Sequence, residues 1–103
     1  DTSGVITIGD GAVAALRAGK SLLPAGVIRV DGTFDRGDAI IVKTPEGRIA
    51  GRGLSAYSSR DARLIMGRKS RDIENILGYR GRDEMIHRND LVTEWSASGA
   101  LEG

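Results

Sequence analysis

Gly9-Asp10-Gly11-Ala12-Val13-Ala14 spells G-x-G-x-x-A. That spacing lets a strand-to-helix turn bring its backbone close to a dinucleotide pyrophosphate. A short strand pattern precedes it and a helix pattern follows. Asp31 lies twenty residues beyond Gly11, where a ribose-binding carboxylate would stand. Against this, Gly19 cuts the helix short, and the strands beyond it are joined by turns. A parallel nucleotide-binding sheet instead needs crossover connections of about a dozen residues or more. The plainer reading is a capped helix after a tight turn.

Other reactive residue types are sparse. His87 is the sole histidine, with no His, Cys or carboxylate at zinc spacing around it, and it reads as a structural residue on a closing strand. Asp10, Asp31, Asp38 and Asp61 fall at caps and turns, where aspartate bonds to backbone N–H groups. Arg60, Arg63, Arg68, Lys69 and Arg71 form a basic run, but Asp61, Asp72 and Glu74 interrupt it. Such mixing reads as a solvated face with intrahelical pairs, without the aromatic platform of single-strand binders. No catalytic residue, metal ligand or cofactor-binding residue is expected in this chain.

Composition sets the frame for these residues. A chain of 103 residues accommodates one core, and 40% apolar with 28% charged residues is ordinary for a globular domain. Phe34, Tyr57, Tyr79 and Trp95 are the only aromatics of their kinds, so Val, Ile, Leu and Ala must build the core. Fifteen glycines suit a fold rich in turns and bulges. Without cysteine there are no disulfides or thiolate metal sites. Net charge is +1, yet twelve of the fifteen basic residues are arginine, the side chain suited to bidentate phosphate contact. A GC-rich genome produces the same bias. No stretch approaches the roughly 20 apolar residues that span a bilayer, so no membrane partner is expected. The chain starts at Asp1 without methionine, as expected of a piece of something longer.

The elements follow from pattern and punctuation. Residues 5–8 read as a strand. Asp10 is placed to cap a helix running from 11 or 12 to 18, with Gly19 as its stop. Leu23-Pro24-Ala25-Gly26 fits a type I turn leading into a strand at 27–30. Arg36-Gly37-Asp38 turns the chain into a strand at 39–44, and Pro45-Glu46-Gly47 into another at 48–55. Gly51 and Gly53 leave gaps on one face of the latter, the mark of a bulge or a close backbone approach. Short turns between these strands predict antiparallel pairing. Ser58 with Asp61 forms a capping box for a helix ended by Gly67. Ser70 is placed to cap a second helix, with Ile73, Ile76 and Leu77 on one face and Gly78 as its stop. Residues 85–88 and 91–93 are apolar enough for one or two closing strands. One domain over residues 1–95 with a frayed tail at 96–103 is expected.

At DGAVAALRAGKSLLPAGVIRVDGTFDRGDAIIV the sequence resembles the PUA domain, a small RNA-binding β module. The residues that carry the likeness are the D-G-A-x-x-A-L helix, the S-L-L-P-x-G corner and the G-x-F-x-R-G-D turn. GRIAGRGLSAYSS matches the next strand of that family. The run G-x-x-S-x-x-I-x-x-I-L-G-Y, followed by H-R-x-D, narrows the resemblance to the PUA domain at the C-terminus of bacterial glutamate 5-kinases. It covers residues 4–93.

The resemblance implies a mainly β fold with short α-helices, a PUA-like β pseudo-barrel on a mixed sheet. It implies a cytoplasmic, homo-oligomeric parent whose amino-acid-kinase domain precedes Asp1 and phosphorylates glutamate with ATP and magnesium in proline biosynthesis. This module would then be non-catalytic, and its expected partner is its own amino-acid-kinase domain. RNA is the alternative partner. The face that RNA-binding relatives use maps onto Arg17, Lys20, Ser21 and Arg29, with backbone exposed at Gly11 and Gly26. Four such groups contact a few phosphates, enough for weak, salt-sensitive binding.

Overall fold

The structure is a computed structural model that describes residues 3–95. Five strands, β1 (Gly4–Ile8), β2 (Val27–Gly32), β3 (Ala39–Lys43), β4 (Ile49–Leu54) and β5 (Leu91–Thr93), form one sheet in the order β2-β1-β3-β4-β5. Three short helices accompany them: α1 (Asp10–Arg17), α2 (Ser59–Ile65) and α3 (Ile73–Leu77). The mainly β, mixed-sheet architecture expected from sequence is the one that forms. The tail at 96–103 lies outside the described residues.

The sheet is mixed through one parallel pair. β2 pairs antiparallel with β1, and β4 antiparallel with β3 and β5, but β1 and β3 run parallel. The successive strands β2 and β3 are not neighbours, because β1 lies between them. The link at 33–38 crosses from one side of β1 to the other, and Phe34 within it is buried over Gly4. A Cβ on Gly4 would stand 2.3 Å from Phe34 Cδ2, so the crossing needs a glycine beneath it.

Alternation sets the buried side of β1 and β3, where Ile6, Ile8, Ile40 and Val42 turn inward. In β2 the inward residues Val27 and Val30 are three apart, because the β1–β2 register shifts between Thr7 and Ile8. Leu16, Leu22, Ala62, Ile65, Ile73, Met85 and Ile86 meet them in the same apolar cluster. α2 and α3 are each shorter than two and a half turns, so their stability comes from this packing and not from propensity.

Several local signals are realised as read. Ser58 Oγ accepts from the Asp61 N–H at 3.2 Å and opens α2. Gly67 and Gly78 adopt left-handed backbone after α2 and α3. Gly51 and Gly53 serve close approach: added Cβ atoms would stand 2.5 Å from Val92 O and 2.6 Å from Asp90 O, so β5 presses directly on them. A bulge also occurs here, where the β3–β4 register shifts between Val42 and Lys43.

Three expectations are corrected. Gly9, not Asp10, is the N-cap of α1; Gly9 is extended, and Asp10 is the first helical residue, where its carboxylate favours the helix dipole. Ser70 does not cap α3, because its hydroxyl donates to the Asp83 carbonyl at 2.9 Å and a short 3-10 turn intervenes. Residues 85–88 form no full strand. Ile86 makes an isolated antiparallel bridge to Leu22, and Arg88–Asp90 then winds into a 3-10 turn before β5. His87 Nδ1 accepts the Asn89 N–H at 3.1 Å and ties that turn, a structural task.

Candidate functional site

The corner between α1 and β2 holds most of the residues singled out from sequence. α1 ends in a paired motif: Gly19, at φ +77°, donates its N–H to Leu16 O, and Lys20 donates to Ala15 O, both at 3.0 Å. This reversal turns the chain back at Lys20, at the end of the helix. The chain then runs through Ser21 and Leu22 into the 3-10 turn Pro24–Gly26. Gly26 O accepts from Gly9 N at 2.9 Å, which locks the turn against the beginning of α1.

A groove of about 430 Å³ results, lined by Gly11, Ala12, Ala15, Lys20, Ser21, Leu23, Ala25 and Gly26. Four of the six candidates, Gly11, Lys20, Ser21 and Gly26, therefore share one surface. Its floor is small and apolar, and among the described residues Lys20 is its only cation. Gly11 is open to solvent, with no atom within 4 Å of an added Cβ, whereas Gly26 is closed off by Ala12. Ser21 Oγ accepts the Arg88 N–H at 2.8 Å, so this hydroxyl also has a structural role.

The other two candidates stand apart. Arg29 on β2 pairs with Asp31 at 2.9 Å in an exposed bridge, which offsets its charge locally and contributes about 0–1 kcal/mol. The Asp31 of the apparent dinucleotide fingerprint is thus a partner of Arg29. β1 and β2 are antiparallel, which excludes the βαβ unit that such a fingerprint needs. Arg17 points to the far side of α1, with its guanidinium 5.1 Å from the centroid of the Trp95 ring.

That far side is a second, larger cleft of about 520 Å³. Leu16, Leu91 and Trp95 give it an apolar floor, and Arg17, Lys20 and Arg88 give it charge. Sequence reasoning missed it because its walls come from α1, the 3-10 turn at 88–90 and β5, segments without mutual spacing. Trp95, the single tryptophan, standing just beyond a strand signal, was the one available clue.

A third recess, by the N-terminus of α2, is lined by Tyr57, Tyr79, Asp61, Arg36, Arg80 and Arg82. Tyr79 donates its hydroxyl to Asp61 Oδ2 at 2.5 Å. Burial of the phenol, then that bond, push the Tyr79 pKa up to about 12. Tyr57 is buried, its hydroxyl donates to the Arg82 carbonyl, and its pKa is raised chiefly by burial. Two phenols held protonated beside carboxylates make a structural network and not a nucleophile or base. Among the described residues, no group of three or more His, Cys, Asp or Glu is arranged to hold a metal ion.

Solved structures define the class. A PUA domain from Aeropyrum pernix, in a tartrate complex, superposes with a TM-score of 0.62 at 23% identity, over 94% of this chain and 48% of that one. A chain of the archaeal box H/ACA Nop10–Cbf5 complex does so at 0.58 and 22%, over 89% of this chain and 23% of that one. These likenesses establish the fold. The PUA domain family matches residues 4–77, and the chain belongs to that family.

Curated relatives narrow the comparison to the C-terminal region of glutamate 5-kinases. The enzyme of Paramagnetospirillum magneticum is 58% identical over 92 residues, 89% of this chain and 25% of the relative. That of Nitrobacter hamburgensis is 61% identical over 100 residues, 97% and 26% respectively. That of Nitrobacter winogradskyi is 64% identical over 89 residues, 86% and 24%. The chain spans about a quarter of the length of these relatives. Among the described residues, no helix is long and apolar enough to cross a membrane.

Proposed function

We propose that this chain is the C-terminal PUA module of a glutamate 5-kinase and serves that enzyme in a regulatory or architectural role, without catalysis of its own. The observation that carries the reading is identity of 58–64% to the C-terminal quarter of such kinases. In this reading the preceding amino-acid-kinase domain holds ATP and magnesium, transfers phosphate to glutamate and is the module's own partner. The assembled enzyme is then cytoplasmic and homo-oligomeric. The corner groove supports the non-RNA role: it is mostly apolar, its one cation among the described residues is Lys20, and Arg29 is engaged by Asp31. The deciding experiment compares the full kinase with a form lacking residues 1–103, for activity, proline sensitivity and oligomeric state. Unchanged behaviour in all three rejects the reading. So does glutamate-dependent ATP turnover by the 103-residue chain alone.

A second reading, an RNA-contacting module, is favoured by one observation: Gly11, Lys20, Ser21 and Gly26 line a single groove. It requires affinity for structured RNA that falls with salt and weakens on Lys20→Ala and Arg29→Ala. Absence of binding at low salt ends it.

A further inference from the structure

Three cations from two segments line the cleft behind α1. Arg17 stands in the last turn of the helix, Lys20 just past its glycine stop, and Arg88 opens the 3-10 turn before β5. Among the described residues none of the three makes an ion pair. No carboxylate among the described residues lines the cleft. All three are exposed, so water screens their mutual repulsion, and an anion that enters the cleft is attracted by all three cations at once. The floor of Leu16, Leu91 and Trp95 is apolar and partly aromatic, and Asn89 adds a neutral polar group at the rim.

The contrast with the other recesses is chemical. The tyrosine recess also gathers arginines, but Asp61 lines it, and Arg80 and Arg82 lie 3.9 Å from Glu74 and 4.0 Å from Glu84. An anion there would meet carboxylates. The corner groove has one cation only among the described residues.

We propose that the cleft behind α1 binds a phosphate monoester carried on a planar ring, as in a mononucleotide or the 5′-phosphorylated end of a nucleic-acid strand. Arg17 and Arg88 offer planar forks that match phosphate oxygens, and Lys20 adds a point charge. The ring takes the apolar floor of Leu16 and Leu91 and meets the Trp95 indole away from the face that Arg17 covers, where stacking does not depend on base identity. A volume of about 520 Å³ falls within the range of small-molecule sites.

Trp95 is the only tryptophan, so its fluorescence reports on this cleft alone. The experiment titrates the 103-residue protein with adenosine monophosphate, adenosine, inorganic phosphate and a short 5′-phosphorylated RNA. Backbone amide shifts of Gly19 and Asn89 follow the same titrations independently. Saturable change with the monophosphate is expected, with adenosine and inorganic phosphate each binding at least about tenfold more weakly. Arg88→Ala and Lys20→Ala each weaken it about tenfold, Arg88→Lys less, and Arg36→Ala in the tyrosine recess leaves it unchanged. Tighter binding of the RNA end assigns it as the source, and tighter binding of the free nucleotide assigns that; both support the site. The proposal is overturned if neither phosphate monoester gives a saturable response at millimolar concentration. It is equally overturned if adenosine or inorganic phosphate binds as tightly as the monophosphate, or if a folded Arg88→Ala protein binds undiminished.

Discussion

Gly26 and Ala12 meet so closely that a Cβ on Gly26 would lie 2.6 Å from the Ala12 Cβ. The corner that carries the chain from α1 into β2 is therefore pressed against the helix itself, and Gly26 O accepts from Gly9 N just beside that contact. Gly26→Ala should destabilise the fold by about 1–3 kcal/mol through overpacking. Ala12→Gly removes the opposing methyl and should recover part of that loss, although it costs about 1 kcal/mol in helix propensity. A double-mutant cycle by urea denaturation reads the coupling. Additive effects would show that the two residues do not oppose one another.

The β4–β5 junction depends on Gly53 in the same way, but against backbone. Its added Cβ would stand 2.6 Å from Asp90 O and 2.8 Å from Ile86 Cγ2. That carbonyl ends the 3-10 turn leading into β5, and the pairing of Leu91 with Gly53 leaves it little room to retreat. Gly53→Ala should cost about 1–3 kcal/mol and speed amide exchange at residues 91–93 before it affects β1. Unchanged protection across β5 would refute this account.

Ser59 anchors the crossing link. Its hydroxyl accepts the Phe34 N–H at 3.1 Å, while its own N–H donates to Phe34 O at 2.8 Å. Both residues are buried. Ser59→Ala leaves a buried N–H without its partner and should destabilise by about 1–3 kcal/mol. Ser59→Thr retains the acceptor, so thermal unfolding of the two variants separates the lost bond from altered packing.

Tyr79 predicts a dependence on alkaline pH. Its folded pKa, about 12, lies above the ordinary tyrosine value of 10.0. The folded state therefore holds this proton more tightly than the unfolded state. The associated stability is fully present below about pH 10 and declines as pH rises from there towards 12. Since the ring is 46% exposed, the effect is modest. Tyr79→Phe should flatten the decline over that window relative to the unaltered protein, and leave the part due to Tyr57. An identical slope in both proteins would rule Tyr79 out as its source.

Local chemistry was legible before any coordinates. Ser58 with Asp61 announced α2, and Gly19, Gly67 and Gly78 announced helix ends, because capping and left-handed backbone involve neighbours in sequence. Gly51 and Gly53 announced a close approach without saying what approached. Ser70 misled: a serine before a helical pattern looks like a cap, but its hydroxyl found the Asp83 carbonyl thirteen residues on. Of the six residues expected on one face, Gly11, Lys20, Ser21 and Gly26 do share a groove, while Arg17 and Arg29 do not.

The sequence alone determined most element types, the helix ends marked by glycine and the PUA resemblance, since these rest on periodicity and on turn residues a few positions apart. Tertiary structure decided that β1 lies between β2 and β3, and that Arg17 turns away to Trp95. It also decided that Arg17, Lys20 and Arg88 share a cleft. Those outcomes depend on contacts between segments tens of residues apart. Which contacts form is settled by how the apolar faces of α1, β1 and β5 can be buried together, and no local pattern encodes that.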